Sequence, residues 1–105
     1  MRRGEIWWAE MPKPAGRRPV VLLSRNEAYL VRELITIAPV TTRIRNIPVE
    51  LPIGKVEGLP HSRVANLDTI TTIPKRCLKE RIGLISSAKL KELDEAVKFA
   101  LGLKE

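Results

Sequence analysis

The strongest constraint on this fold is a series of short β-type segments separated by turn residues. The first segment, Glu5–Glu10, stops at a turn containing Pro12, Pro14 and Gly16, because proline cannot donate to a ladder of hydrogen bonds. The later strand-like runs are Pro19–Ser24, Leu34–Thr41, Ile47–Leu51, Val64–Asp68 and Thr69–Ile73. This spacing predicts a mainly β chain that forms a small, strongly bent antiparallel sheet or barrel.

Three of these runs have predicted places in the sheet. Pro19–Ser24 is apolar at successive positions, which is typical of a strand buried on both faces, and Leu34–Thr41 is its expected partner. We expect a short, partly helical connection between the two. Ile47–Leu51 contains Pro48 and is therefore predicted to be an edge strand.

The last segment has the pattern of an amphipathic helix. Its apolar stripe consists of Leu90, Leu93, Val97, Ala100 and Leu101. Ser86 or Ser87 is positioned to cap the start, and Gly102 occupies the place of a left-handed residue after the end. Asp94 and Lys98 have the spacing of an i,i+4 ion pair. We expect this helix to pack on the sheet.

Length and composition narrow the class of protein. With 105 residues, 44% of them hydrophobic, we expect a single domain over residues 1–105. No apolar run is long enough for a membrane helix, and the amino terminus lacks a secretory signal, so a cytoplasmic location is expected. Cys77 is the single cysteine and His61 the single histidine. We therefore expect no disulfide, no metal and no cofactor.

The basic residues are unevenly distributed. Residues 1–32 hold seven basic and three acidic groups, and residues 61–85 hold five and two, while the remaining segments balance. If the fold joins these two segments, they form a positive face that attracts phosphate backbones in a salt-dependent manner. Charge alone therefore allows two interpretations, a nucleic-acid-binding surface or an ordinary basic surface.

Several short motifs follow one another along the chain. They are Arg3–Trp8, Gly16–Val21, Ile37–Thr41, Glu57–Pro60, Val64–Leu67, Thr72–Arg76 and Leu93–Leu103. In this order the chain resembles the MazF/PemK toxins over nearly its whole length. The resemblance implies an SH3-like barrel and a sequence-selective, metal-independent endoribonuclease that cleaves single-stranded mRNA. It also implies a homodimer, an antitoxin whose tail occupies the RNA groove, and operator DNA bound only through the antitoxin complex.

The resemblance places catalysis on Arg18, before the proline of the second strand, and on Thr41, at the end of the third. RNA cleavage by the neighbouring 2′-hydroxyl requires stabilisation of negative charge on the phosphate oxygens. A guanidinium is planar, permanently charged and able to hold two oxygens, and a threonine hydroxyl can orient the phosphate. Because alternation turns neighbouring strand side chains to opposite faces, Thr42 is an alternative to Thr41.

The candidate RNA-binding residues are Arg17, Arg43, Arg45 and Thr42. Arg43 and Arg45 are two apart on a strand-like run, so they are expected to point the same way. The remaining candidates are assigned structural roles: one of Trp7 and Trp8 in the core and the other at a surface, His61 in a loop, and Cys77 as a small buried hydrophobe.

Two other functions fit the same resemblance. One is a catalytically silent nucleic-acid-binding module, because fold and charge permit binding without chemistry. The other is a protein-targeting toxin, since a related fold poisons DNA gyrase. The presence of Arg18 and Thr41 favours the ribonuclease over the silent module.

Overall fold

The computed structural model describes residues 1–103 and shows a β-sheet followed by one long helix. The strands are β1 Glu5–Met11, β2 Gly16–Leu22, β3 Leu34–Thr41, β4 Glu50–Ile53, β5 Arg63–Asn66, β6 Thr71–Pro74 and β7 Leu78–Leu84. A short helix, α1, spans Ala28–Val31, and the long helix, α2, spans Ser87–Leu101. Three 3-10 turns lie at Lys55–Glu57, Leu67–Thr69 and Lys75–Cys77. The predicted mainly β chain with a C-terminal helix is confirmed.

The strands form one curled antiparallel sheet. Its order is β4-β5-β3-β2-β1-β7, and β6 also pairs with β3. The first half of β3 pairs with β6, whereas Val40 and Thr41 at its end pair with β5. Since the turn Leu67–Thr69 joins β5 to β6, the sheet bends there into a half-barrel. The predicted strongly bent sheet is confirmed.

The strand that carries the candidate arginines begins earlier than predicted. The second strand was predicted to begin at Pro19, but the β1–β2 hairpin remains paired as far as Met11 and Gly16. Arg17 and Arg18 therefore lie within β2, where hairpin pairing fixes their directions. By contrast, β3 occupies the predicted range Leu34–Thr41, and α1 is the expected helical connection.

One predicted strand is wrong in position, and one observed strand was not predicted. The edge strand starts at Glu50 rather than Ile47, although β4 does lie at one edge of the sheet. The seventh strand, β7, was not predicted at all. It begins Leu78-Lys79-Glu80-Arg81, and the three charged residues are exposed, so the sequence shows little of the period-two alternation that marks a strand. Its pairing with β1 is what orders it.

The core lies on both sides of β2, as its apolar run predicts. Val21 belongs to the cluster beneath α2, whereas Val20 and Leu22 belong to a second cluster on the other face. All three side chains are fully buried. Burial on both faces holds β2 rigidly, and with it the arginines at its start.

Helix α2 begins and ends as the sequence predicts. Ser86 is the N-cap, and its Oγ accepts a hydrogen bond from the backbone N–H of Lys89 at 3.1 Å. Gly102 is left-handed, with φ of 68°. Leu93 and Ala96 are buried in the first core cluster, so the helix packs on the sheet. No helix in the described part of the chain is both long and apolar enough to span a membrane.

Two details of α2 differ from the prediction. Leu101 is 58% exposed, so the apolar stripe ends before it. The Asp94–Lys98 pair does not form. Asp94 instead accepts a hydrogen bond from Arg3 at 2.8 Å, and the Nζ of Lys98 lies 3.9 Å from Glu95. Arg3 reaches Asp94 because the start of the chain runs beside the helix, a tertiary contact that helical spacing cannot show.

Glu5 is a buried carboxylate at the start of β1. Its Oε1 accepts hydrogen bonds from the backbone N–H of Arg2 and from Nε1 of Trp7, both at 3.0 Å. Its Oε2 accepts from Nε of Arg81 at 3.0 Å, which joins β1 to β7. Burial by itself raises the pKa of Glu5, but these donors favour the carboxylate more strongly and hold the pKa below its ordinary value.

The lowered pKa of Glu5 predicts that the free energy of unfolding decreases in acid. A carboxyl group with a lowered pKa in the folded state stabilises the fold above its unfolded pKa, and this contribution disappears as the pH falls through the folded pKa. We expect Glu5→Gln to flatten the decrease in the free energy of unfolding below about pH 5. Urea unfolding at successive pH values measures this, with exposed Glu92→Gln as control. Parallel pH curves for wild type and Glu5→Gln would contradict the assignment.

Candidate active site

Arg18 and Thr41 meet across two neighbouring strands. In the β2–β3 ladder Val20 pairs with Pro39 and Val21 with Ala38. Two residues further along, this antiparallel register sets Arg18 opposite Thr41. Both side chains line the same two cavities. The structure thus brings together the two residues that the sequence singled out for catalysis.

The first cavity, which we call the arginine pocket, has a volume of about 180 Å³. It is lined by Arg18, Pro39, Thr41, Arg43, Arg45, Asn66 and Thr69. Three guanidinium groups and no carboxylate are among these residues. Such a pocket attracts an anion, and a phosphate group fits its donors.

The second cavity, which we call the tryptophan groove, has a volume of about 360 Å³. It is lined by Trp8, Arg17, Arg18, Pro19, Val40, Thr41, Thr42 and Arg63. Because Arg18 and Thr41 line both cavities, they stand where the pocket and the groove meet. A chain of phosphates and bases can therefore run along the groove while one phosphate occupies the pocket.

Two arginines at this junction carry unsatisfied donors. The Nε atoms of Arg18 and Arg63 are buried, and neither has a hydrogen-bond partner within residues 1–103. A buried N–H without a partner is costly, and an acceptor that satisfies it recovers that cost. Both guanidinium groups therefore keep a donor that no group within residues 1–103 satisfies.

Arg17 is held at the rim of the groove. Its guanidinium lies 4.7 Å from the ring centroid of Trp8 and close to the carboxylates of Glu10, at 3.5 Å, and Glu80, at 3.7 Å. Exposed ion pairs of this length are weak, so the arginine remains available to a phosphate. Its cation–π contact with Trp8 keeps the positive charge over the ring.

Arg43 and Arg45 both line the arginine pocket, but not for the predicted reason. They lie in an irregular loop, residues 42–49, and not on a strand. The Oγ1 of Thr41 accepts a hydrogen bond from the backbone N–H of Arg43 at 3.1 Å, which turns the chain out of β3. The loop, rather than strand alternation, directs the two arginines to one side.

The two neighbouring threonines occupy different places. Thr41 is half-buried and lines both cavities, whereas Thr42 is exposed and lines the tryptophan groove alone. The Oγ1 of Thr41 accepts from the backbone of Arg43, so its own hydroxyl proton is free to be donated. This geometry favours Thr41 over Thr42 as the hydroxyl beside Arg18.

The other candidate residues lie away from this junction. Trp7 packs against the second core cluster and Trp8 lines the surface groove, as predicted for the pair. His61 is exposed in a loop. Cys77 is only partly buried, because it lies in a 3-10 turn at the margin of the second core cluster.

Sequence reasoning missed three lining residues, Arg63, Asn66 and Thr69. Arg63 and Asn66 lie at the two ends of β5, and Thr69 ends the turn that follows. They reach the site because β5 pairs with the end of β3. The net charge of residues 61–85 was a general signal for this segment, but it did not distinguish Arg63 from its neighbours.

A larger groove, of about 640 Å³, lies elsewhere, between β4 and α2. Its lining includes Glu50, Leu51 and Phe99 and none of the candidate catalytic or RNA-binding residues. It mixes acidic, basic and apolar side chains. Cavity size therefore does not identify the site; the paired arginine and threonine do.

Comparison with known proteins gives one consistent family. The sequence model for the "PemK-like, MazF-like toxin of type II toxin-antitoxin system" matches residues 2–101. Two curated relatives come from Mycobacterium tuberculosis. "Probable endoribonuclease MazF5" is 33% identical over 100 residues, covering 94% of this chain and 91% of the relative. "Probable endoribonuclease MazF2" is 36% identical over 104 residues, covering 97% and 99%.

Solved structures agree with the sequence comparison. The structure described as "Mycobacterium tuberculosis toxin MazF-mt6" superposes with a TM-score of 0.90 at 31% identity, over 96% of this chain and 99% of that one. A second, an endoribonuclease from a mycobacterial species in complex with its cognate antitoxin, gives a TM-score of 0.87 at 26% identity, over 100% and 98%. The likeness therefore extends over the whole fold, including the strands that form the arginine pocket.

Proposed function

The chain belongs to the family of PemK-like, MazF-like toxins of type II toxin–antitoxin systems, and from this we infer its action. It is an endoribonuclease toxin that cleaves mRNA and thereby stops translation and growth. We propose further that the reaction takes place at the junction of the arginine pocket and the tryptophan groove. The observation that carries this proposal is that Arg18 and Thr41 line both cavities, while the buried Nε of Arg18 has no hydrogen-bond partner within residues 1–103.

The proposed chemistry is an internal transfer of the phosphate. The 2′-oxygen of the nucleotide attacks the adjacent phosphorus, the bond to the 5′-oxygen breaks, and the products carry a 2′,3′-cyclic phosphate and a 5′-hydroxyl. Water takes the proton from the 2′-hydroxyl and supplies one to the leaving oxygen. Arg18 stabilises the extra negative charge on the non-bridging oxygens, and Thr41 holds the phosphate in line. A guanidinium stays protonated near neutrality and is a poor proton shuttle there, so we assign Arg18 to charge stabilisation.

Binding along the strand is proposed to fall to the surrounding side chains. Arg17, Arg43 and Arg45 supply positive charge to the phosphates on either side of the reacting one, and the hydroxyl of Thr42 adds a polar contact in the groove. Trp8 presents an aromatic surface in the same groove, on which an unpaired base can stack. A single strand is the form of RNA whose bases are free to do this.

Arg43 tests the proposed binding role. We expect Arg43→Ala to weaken RNA binding severalfold and to reduce the logarithmic salt slope by about one, while kcat is largely kept. A 2′-O-methyl RNA, which lacks the attacking hydroxyl, allows binding to be titrated at several salt concentrations without cleavage. Arg25 is exposed and lines neither cavity, so Arg25→Ala, which removes an equal charge, is the control. An unchanged salt slope in Arg43→Ala would contradict the phosphate contact.

The partners are proposed on the same basis. A structurally similar endoribonuclease is described in complex with its cognate antitoxin, and we propose that this chain is likewise bound and neutralised by one. We further propose that residues 1–105 form a single toxin domain that acts in the cytoplasm as a homodimer, and that it meets operator DNA only through the antitoxin complex.

The activity itself is tested by incubating the purified protein with a long single-stranded RNA and, separately, with the same RNA annealed to its complement. We expect discrete cuts in the single strand and few in the duplex, because paired bases cannot enter the groove. Intact RNA that is bound in a salt-sensitive manner would indicate the silent module instead. If the RNA is neither bound nor cleaved, the target should instead be sought among proteins, such as DNA gyrase.

A further inference from the structure

Glu50 is a buried carboxylate beneath the loop that carries Arg43 and Arg45. Its residue is only 8% exposed. Its Oε1 accepts hydrogen bonds from two consecutive backbone N–H groups, those of Arg45 at 2.9 Å and Asn46 at 3.0 Å. Hydrogen bonds to an ionised acceptor are about twice as strong as those between neutral groups. One carboxylate oxygen thus fastens two residues of the loop to the first residue of β4.

The loop is anchored at its end by Val49, which is buried and whose carbonyl oxygen accepts a hydrogen bond from the backbone N–H of Leu67 at 2.9 Å, but the residues before Val49 have few such contacts. Residues 42–48 are all exposed, so apolar packing contributes little to their order. Asn46 adopts a left-handed conformation with φ of 58°, which asparagine tolerates better than most residues other than glycine. At the other end of the loop, the backbone N–H of Arg43 is bound by Thr41. The bonds to Glu50 therefore hold the middle of the loop, at Arg45 and Asn46, where burial contributes little.

We propose that Glu50 is a positioning residue for RNA binding, because it holds the loop so that Arg43 and Arg45 face the arginine pocket. This inference rests on the proposed function and deepens it. Glu50 lines neither the pocket nor the tryptophan groove, so it acts through the loop and not on RNA. Because the loop is ordered before RNA binds, the entropy cost of binding is smaller than it would be if two long side chains and their backbone had to become ordered.

Two substitutions of similar volume separate the carboxylate's role from its bulk. Glu50→Gln keeps a carbonyl oxygen that can accept from both N–H groups, whereas Glu50→Leu removes both acceptors. We expect Glu50→Leu to raise KM for RNA about tenfold, equivalent to one lost charge-assisted contact, with kcat changed less than about twofold. Glu50→Gln should restore KM most of the way toward wild type. A lower kcat at unchanged KM in Glu50→Leu would overturn the proposal.

The matched control is Glu57, a second buried carboxylate that caps a different loop. It is 6% exposed, and its Oε1 accepts from the backbone N–H of Gly54 at 2.7 Å. It lines neither of the two site cavities. Glu57→Leu should lower stability while leaving KM of the folded protein at the wild-type value. An equal rise in KM in both leucine variants would show a general structural effect and would refute the positioning role.

A double-mutant cycle shows whether Glu50 acts through the arginines. In a protein that already carries Arg43→Ala and Arg45→Ala, Glu50→Leu should raise KM by less than about twofold, because the groups it positions are gone. Effects that multiply in full would mean that Glu50 acts by another route, and the inference would fail.

One measurement needs no variant and so does not depend on whether Glu50→Leu folds. In the wild-type protein we expect the amide hydrogens of Arg45 and Asn46 to exchange at least about tenfold more slowly than those of Ile44 and Ile47 in the same exposed loop. Equal rates would show that Glu50 does not hold the loop. This result stands even if the wild-type protein leaves RNA intact, an outcome that would refute the proposed function but not the contact.

Discussion

Arg18→Ala should abolish nearly all RNA cleavage while leaving most RNA binding in place. The guanidinium is proposed to bind the non-bridging oxygens most strongly in the transition state, when their negative charge is greatest. Removal of one such preorganised donor lowers kcat by about 10²–10³-fold in comparable sites. Binding should fall far less, because Arg17, Arg43 and Arg45 remain to hold the phosphates. Single-turnover cleavage and a binding titration with 2′-O-methyl RNA measure the two quantities separately.

The control for Arg18 is a variant that loses the same charge elsewhere. Arg76 is exposed in a 3-10 turn and lines neither cavity, so Arg76→Ala should cleave RNA at close to the wild-type rate. Arg18→Lys is a second comparison, because it keeps the charge but not the planar pair of donors, and we expect it to recover little of kcat. Equal losses of binding and cleavage in Arg18→Ala would count against a catalytic role.

Thr41→Val should produce the second largest loss, a fall in kcat of about a hundredfold. Valine has nearly the same shape but no hydroxyl, so the substitution removes the group that is proposed to hold the phosphate in line with the attacking oxygen. Small misplacements of reacting groups reduce rates by about this factor. The backbone N–H of Arg43 also loses its acceptor, which should add a modest increase in KM. Steady-state kinetics on a short RNA that contains one cleavage site measure both effects.

Thr42→Val distinguishes the two threonines. Thr42 is exposed and lines only the tryptophan groove. Its hydroxyl is proposed to assist binding, so the variant should leave kcat nearly unchanged. KM should rise a few fold, which corresponds to the loss of one neutral hydrogen bond. If Thr42→Val lost kcat and Thr41→Val did not, the catalytic hydroxyl would have to be reassigned to Thr42.

Much of the fold follows from local features of the sequence. Pro12 marks the end of β1 and Gly102 marks the end of α2, and the unbroken apolar run of β2 correctly predicts burial on both faces. Local features do not show which strands pair with each other. β7 carries charged residues on its exposed side and is a strand because β1 lies beside it. For the same reason Asp94 binds Arg3 and not Lys98.

The candidate site likewise depends on strand pairing that local features of the sequence do not show. Arg18 and Thr41 were identified by resemblance to a family, since an arginine beside a proline and a threonine in a strand are ordinary residues. Their proximity depends on the β2–β3 register, which no local pattern sets. Arg63 was missed because it enters the groove only when β5 pairs with β3. Arg43 and Arg45 were expected on a strand, whereas a loop tied to Glu50 and Thr41 directs them.

The central claim is that Arg18 and Thr41 cleave RNA by attack of the neighbouring 2′-hydroxyl without a metal ion. The most direct test is to incubate wild type, Arg18→Ala and Thr41→Val with one long single-stranded RNA in excess EDTA and to determine the chemistry of the product ends. We predict discrete wild-type cuts with 2′,3′-cyclic phosphate and 5′-hydroxyl ends, strongly reduced in both variants. Cleavage that EDTA abolishes, or that leaves 5′-phosphate ends, or that persists in Arg18→Ala, would contradict this account.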